Sequence, residues 1–207
     1  WYNPELKSRN FLVPGSISLI MTLIGTLLTA LVIAREWERG TMEALLATPI
    51  TIKQILLGKL IPYFVLGICS MTVCFLIATL WYDVPFRGSF IALLLSTTVF
   101  LIAALGQGLL ISTIAKDQFV ASQMALMSAY LPSFMLSGFI FEISSMPAPI
   151  QALTHLFSAR YFVTIPHTLF LTGDIWPLVI PALLMMGLIG LVFFTLIARK
   201  TAKRLDQ

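Results

Sequence analysis

Side chains able to do chemistry are few in this chain, and their spacing argues against catalysis. His155 and His167 are the only histidines, twelve residues apart, with no carboxylate at ligand spacing from either, so no metal site follows. Cys69 and Cys74 lie five residues apart in one apolar run, where a helix turns them to different faces. Neither a disulfide nor a metal framework is expected. Gly58 and Lys59 hint at a phosphate-cradling loop, but Leu60 follows them and Lys53 stands where that motif needs glycine. The segment should therefore not hydrolyse ATP itself. Zinc, serine and aspartyl membrane proteases each need a metal-binding pair, an intramembrane base or two intramembrane aspartates, and all three sets are missing from this sequence.

The elements that would carry any site are membrane helices. Of 207 residues, 58% are hydrophobic and 11% charged, with a mean hydropathy of +0.96, which excludes a soluble enzyme. A net charge of +4 suggests nucleic acid only until its distribution is read: the charges are scattered between apolar runs and form no continuous basic face. Five apolar runs without a charge occupy about 11–34, 60–82, 89–115, 119–141 and 175–198. At about 1.5 Å per residue each can cross a hydrocarbon layer of roughly 30 Å. Strands of a membrane barrel would be near ten residues long with alternating polarity, so the expected fold class is all-α and polytopic.

Five spans place the two chain ends on opposite sides. One set of loops holds nine basic residues (Arg35, Arg39, Lys53, Lys59, Lys116, Arg199, Lys200, Lys203, Arg204), the other four (Lys7, Arg9, Arg87, Arg160). The richer set is expected in the cytoplasm, with the C-terminal tail, and the 142–174 connection outside. Residue 1 is Trp and no charged leader precedes the first run, so the chain is expected to be part of a longer one. Two connections, Asp83 to Gly88 and Lys116 to Gln118, are short enough to make their spans antiparallel neighbours.

The connection from Arg35 to Lys59 reads REWERGTMEALLATPITIKQILLGK. Gly40 can end the helix leaving the membrane, Thr41 can cap a new one, and Glu43 sits in its first turn, where the helix dipole favours an anion. Thr48 before Pro49 stops it. The result is a helix of about two turns with Met42, Leu45 and Leu46 on one side, too short to stand alone in water. Thr51 and Gln54 form a capping box, with Ile50 and Ile55 in the staple positions, so the next span begins at a fixed angle. Two readings stay open: a lever pushed by a cytoplasmic partner, or an interfacial helix whose Arg35, Arg39 and Lys53 meet anionic lipid.

The stretch from Arg35 to Pro49, REWERGTMEALLATP, resembles the segment after the second span of ABC type-2 transporter permeases. The opening WYNPELKSRNFLVPG is similar to the join between extracytoplasmic domain and second span in the bacterial drug-exporter branch of that family. The resemblance implies that residues 1–10 end an extracytoplasmic domain, that 11–207 form the transmembrane domain, and that these are the last five of six spans. It implies a coupling element over 35–50 that docks on a separate ATPase subunit, with Glu36, Glu38, Arg39, Gly40, Thr41, Met42, Glu43, Leu45, Leu46 and Pro49 carrying the contact. It also implies a bacterial inner-membrane location, a homo- or heterodimer of permeases, a periplasmic adaptor, and ATP and magnesium bound on the partner. No cofactor is then expected on this chain.

The connection 142–174 is too apolar for a solvated loop. Apolar positions 150, 153, 157 and 161 suggest one helix in the outer interface or re-entering the membrane. The resemblance implies short helices forming an outer lid above the transport path; a belt sealing the bundle fits the pattern equally. Arg160 is expected to pair with Glu142, Asp174 or a lipid phosphate.

None of the five runs contains an internal Asp, Glu, Lys, Arg or His, so the proton relay of an ion-coupled carrier is missing here. The uncharged polar residues Gln107, Ser112, Gln123, Tyr130, Ser133 and Ser137 are candidates for a substrate path, with ordinary packing between helices the favoured alternative for each. Pro132 should kink its helix. An exporter permease for hydrophobic compounds leads. A carrier or channel with its ionisable group upstream, and a membrane scaffold, are the alternatives.

Overall fold

The computed structural model describes residues 8–41, 52–141 and 143–202, all of them helical or in connections, with no strand among them. Five helices are long and apolar enough to cross a membrane. They are α1 (Ser8–Glu38), α2 (Ile52–Leu76, continued by a π-helical turn, Ile77–Trp81), α3 (Phe90–Ala115), α4 (Gln118–Leu136) and α7 (Trp176–Ala202). Between α4 and α7 lie a 3-10 turn, Ile143–Ser145, and two shorter helices, α5 (Ala148–Thr154) and α6 (Ser158–Leu171).

The helices are not equivalent. In the most apolar stretch of each, 67% of α1 and 56% of α3 is buried within the chain, against 17%, 22% and 22% for α2, α4 and α7. The α1–α3 pair is the axis and the others surround it.

Small residues spaced four apart let these two backbones approach. A Cβ added at Gly25 would stand 2.9 Å from the Ala104 Cβ, and one at Gly108 would collide with the carbonyl oxygen of Thr26. At that separation Ser112, one turn beyond Gly108, reaches α1: its Oγ accepts from the backbone N–H of Ile33 (2.9 Å) and Ala34 (2.8 Å). The hydroxyls buried on α1 are satisfied within their own helix. Thr22 donates to the Ser18 carbonyl (2.9 Å), Thr26 to that of Thr22 (2.6 Å) and Thr29 to that of Gly25 (2.7 Å). Polar groups in a low-dielectric core are thus paired without a polar neighbour.

The 142–174 connection departs from the single helix its spacing suggested. The chain breaks between Thr154 and Ser158, and Phe157 is extended (φ −101°, ψ 122°) as the residue capping α6. At 14 residues α6 is roughly 21 Å long, too short to cross. A belt would leave one face open, whereas α6 is enclosed by α1, α3 and α7, with Phe162 stacked on Phe100 of α3 (centroids 4.0 Å apart, planes at 8°). Arg160 is held within the connection itself: its guanidinium donates to the Gln151 carbonyl (3.1 Å) and meets the Thr154 hydroxyl, while Glu142, one of its expected partners, lies outside the described residues. Asp174 instead accepts from the backbone N–H of Ser89 (2.7 Å), pinning the start of α7 to the start of α3.

Before Pro132 the regular hydrogen bonding of α4 is interrupted, in a particular form. Proline has no N–H to give the Ser128 carbonyl four residues back. The helix widens into a π-helical turn, Leu126–Tyr130, where the Leu131 N–H reaches the Leu126 carbonyl, and the Ser128 carbonyl accepts from Gln107 Nε2 on α3 instead (3.2 Å).

Candidate functional site

The end of α1 at Arg35–Thr41 gathers most of the charged contacts in the described chain. Gly40, at φ +69°, takes the left-handed conformation that ends a helix, and its N–H returns to the Trp37 carbonyl (3.1 Å). Glu36 is one turn from that end. One of its carboxylate oxygens pairs with Lys59 Nζ of α2 (2.7 Å) and the other accepts from the Thr41 hydroxyl.

Glu38 points the other way. Its Oε2 accepts from both the backbone N–H (3.2 Å) and the Nε2 (2.8 Å) of Gln118, the first residue of α4. Arg35 Nε donates to Oε1 of the same glutamine (3.3 Å), so the Gln118 amide is held at both ends. Lys116, in the left-handed region at φ +57°, makes the tight turn from α3 into α4 and places its ammonium 4.8 Å from the Trp37 ring centre. Asp117 then caps α4, accepting from the Val120 N–H (2.9 Å).

Two opposite attachments therefore fix the root of the 35–50 connection: α2 on one side through Glu36, and the α3–α4 turn on the other through Glu38, Arg35 and Trp37. Each contact is partly exposed and individually worth about 1 kcal/mol or less. Together they tie the end of α1 to α2 and to the α3–α4 turn.

Of the residues expected to dock a partner, Glu36, Glu38, Arg39, Gly40 and Thr41 lie here, while Met42, Glu43, Leu45, Leu46 and Pro49 lie outside the described residues, as do Thr51 and Ile50 of the capping box. The Glu36 and Glu38 carboxylates are turned into the chain, and Arg39 is exposed. Lys59 and Gln118 belong to the cluster and were not singled out from sequence. Only the shortness of the Lys116 to Gln118 turn could have pointed to the second.

The six polar residues of the spans do not come together. Gln107 serves the Ser128 carbonyl, Ser112 serves α1, and Ser133 donates to the Ala129 carbonyl (2.5 Å). Gln123 is exposed and Tyr130 half-buried against Phe134. Ser137 lines a cavity of about 500 Å³ shared with Phe11, Phe139 and His167 near the far end of α1, and the other five do not line it. Among the described residues no three His, Cys, Asp or Glu side chains are grouped to hold a metal.

A bundle of five helices long and apolar enough to cross a membrane, with a polar root at one end and a short buried helix at the other, defines a multi-pass membrane protein. The model of the ABC-2 family transporter proteins matches residues 1–199, and the chain belongs to that family. It is 50% identical over 206 residues to the "Probable multidrug ABC transporter permease YbhS" of Escherichia coli (strain K12), covering 100% of this chain and 55% of that protein. To YbhR of the same strain, a protein of the same description, it is 31% identical over 191 residues, 87% of this chain and 51% of the relative. To the "Inner membrane transport permease YhhJ", also of that strain, it is 28% identical over 199 residues, 94% and 52%. The chain thus spans about half the length of these relatives.

Proposed function

We infer that this chain is the spanning part of a permease subunit in an ATP-driven exporter of hydrophobic or amphipathic compounds, powered by a separate ATPase. The observation that carries the reading is the doubly tied root at Glu36 and Glu38. A segment that only rested among lipid headgroups would gain nothing from being locked to α2 and to the α3–α4 turn at once. A lever needs that connection to move the spans. The absence of an ionisable group within the five apolar runs supports an external motor, because moving a two-state transporter from 1:99 to 99:1 takes about 5.5 kcal/mol of differential interaction. The names of the relatives favour multidrug export.

On this reading the Arg35–Thr41 end faces the cytoplasm with the C-terminal tail, in a bacterial inner membrane. Arg39, Met42, Glu43, Leu45, Leu46 and Pro49 meet the ATPase, which holds ATP and magnesium. Glu36, Glu38, Gly40 and Thr41 orient that element from within. Two permeases, identical or paired, enclose the path, and a periplasmic adaptor receives the cargo. Residues 1–10 close an extracytoplasmic domain.

The test is to purify the full-length protein with its cytoplasmic companion. Leu45→Asp should abolish ATPase association and transport while membrane insertion persists. Association and transport at wild-type levels in that variant would refute the lever.

A further inference from the structure

The cavity near the far end of α1 has one wall that is tied down and one that is not. α6 supplies Val163, Thr164 and His167, and both its ends are fastened: Arg160 reaches back to Gln151 and Thr154, and the Leu169 carbonyl accepts from the backbone N–H of Arg87 (3.2 Å) and Gly88 (2.8 Å). The chain leaving α4 supplies Ser137, Gly138, Phe139 and Ile140, and it is attached differently.

α4 divides at its π-helical turn. The half before it, Gln118–Ala125, is anchored: Gln118 is held by Glu38 and Arg35, and Ala121 and Ala125 are buried against Ala30, Ala34 and Ile111. In the half beyond it, Leu131–Leu136, Ser133 is buried while Leu131, Phe134 and Met135 are exposed. Bending is easiest at the turn between them. Pro132 has no N–H to return to the Ser128 carbonyl, and the donor that does reach it, Gln107 Nε2 (3.2 Å), comes from α3. Tilting the second half therefore gives up a contact between helices and spares the hydrogen bonds within either half. Farther along, the chain has one seat on the axis. The Phe139 ring lies over Gly15 of α1, where an added Cβ would stand 2.0 Å from two of its atoms, and it stacks on Phe11 with centroids 6.0 Å apart and planes at 17°.

We propose that residues 131–141 form a gate that swings about the turn at 126–130, latched at its hinge by the Gln107 amide and at its tip by Phe139 on Gly15. Six residues of helix are roughly 9 Å long, so a tilt of about 30° carries the far end about 4–5 Å and uncovers the opposite cavity wall at Val163. The yielding wall is the end of α4, and α6 is the fixed one. Gln107 acts as a positioning residue: it touches the hinge and reaches the cavity only through it. That nucleotide drives the gate rests on the permease reading, because the anchored end of α4 meets the Arg35–Thr41 root.

The experiment uses the full-length permease with its ATPase in lipid nanodiscs. Val163→Cys, in the cavity wall and 4% exposed, is treated with the anionic thiol reagent 2-sulfonatoethyl methanethiosulfonate, and modification at that residue is followed by peptide mass spectrometry. Met21→Cys, fully buried on α1, reports any general loosening. Without nucleotide, Gln107→Leu should speed modification at residue 163 about fivefold, the population shift set by one hydrogen bond, and leave residue 21 unchanged. Gly15→Ala, which drives a methyl into the Phe139 ring, should do the same through the other latch. Gly15→Cys with Phe139→Cys should lock the gate, since a Cβ at residue 15 stands 3.0 Å from Phe139 Cγ and so within reach of a disulfide. Oxidising that pair should return the Gln107→Leu rate to the wild-type value or below, and reducing it before labelling should restore the rise. A rate at residue 163 unmoved by both latch variants, an equal rise at residue 21, or a fast rate that survives the crosslink would each overturn the gate. ATP with orthovanadate should also raise the wild-type rate. If nucleotide alone has no effect while the variants and the crosslink act as expected, the ATP-driven reading fails and the gate stands.

Discussion

α1 and α4 have similar raw materials and opposite fates. Both are apolar, both carry serine or threonine in the span, and both contain a proline. In α1 the small residues face α3, and the hydroxyls are absorbed into the helix, giving a close and mostly buried crossing. In α4 the proline falls mid-span, the helix widens into a π turn, and one side-chain amide from α3 repairs the freed carbonyl. What distinguishes a fixed axis from an element able to yield is therefore where small residues and proline fall, not how apolar the helix is.

The largest effect should come from breaking the axis. Gly108→Leu forces a side chain into the Thr26 carbonyl, and overpacking of this kind costs about 1–3 kcal/mol or more, so recovery of monodisperse protein should fall at least about tenfold. Gly58 is the internal control. Nothing lies within 4 Å of a Cβ placed there, so Gly58→Ala in α2 should leave recovery intact and raise the thermal midpoint slightly, by the helix preference of about 0.5–1 kcal/mol.

Next is the link between axis and α4. On the exporter reading, Glu38→Ala should uncouple ATP hydrolysis from transport several-fold and Gln118→Ala less, because the Gln118 backbone N–H still reaches Glu38, and the double variant should lose less than the sum of the two, as expected when they share a contact. The exchange Glu38→Gln with Gln118→Glu keeps a donor facing an acceptor and should restore coupling. Independent, additive losses would mean that the two side chains act separately.

A smaller effect tests the repair inside α4. Gln107→Leu leaves the Ser128 carbonyl without its donor and should lower stability by about 1–2 kcal/mol. Pro132→Ala supplies a backbone N–H to that same carbonyl, so adding it to Gln107→Leu should recover most of the loss in a thermal-shift cycle. A Gln107→Leu variant as stable as wild type would show that the amide is not needed there.

How much of this could be read beforehand depends on sequence distance. The five spans were legible because lipid demands long apolar runs, and the end of α1 because Gly40 is the residue type that adopts φ +69°. A disturbance of α4 at Pro132 was legible too, since proline acts on its own helix. The order of burial was not: α1 and α7 are both apolar, and only pairing tells which is central. Gly25, Thr29, Ala104, Gly108 and Ser112 carried that pairing, but the two halves of the pattern stand far apart in sequence, and Ser112 reads as readily as a pore residue. Glu38 was singled out as a contact for another protein, whereas its partner within the chain, Gln118, 80 residues away, was not. Nothing local in the sequence distinguishes a carboxylate awaiting another protein from one already engaged at home.

The smallest effect lies where axis and yielding helix meet, and it is set by pH. His167 is the one titratable side chain lining the cavity among the described residues, and burial holds its pKa at about 4 against 6.5 for a free ring. Between those values the unfolded chain takes up a proton that the folded chain refuses, so this group's effect on stability is absent above about pH 6.5 and grows unfavourable as pH falls towards 4. The thermal midpoint of the wild type in detergent should therefore decline between pH 7 and 5 more steeply than that of His167→Phe, whose ring can keep the stack with Phe11 but cannot take a proton. Identical slopes in the two proteins would place the acid sensitivity elsewhere, and would leave the meeting of α1, α6 and the chain after α4 as insensitive to pH as the α1–α3 crossing.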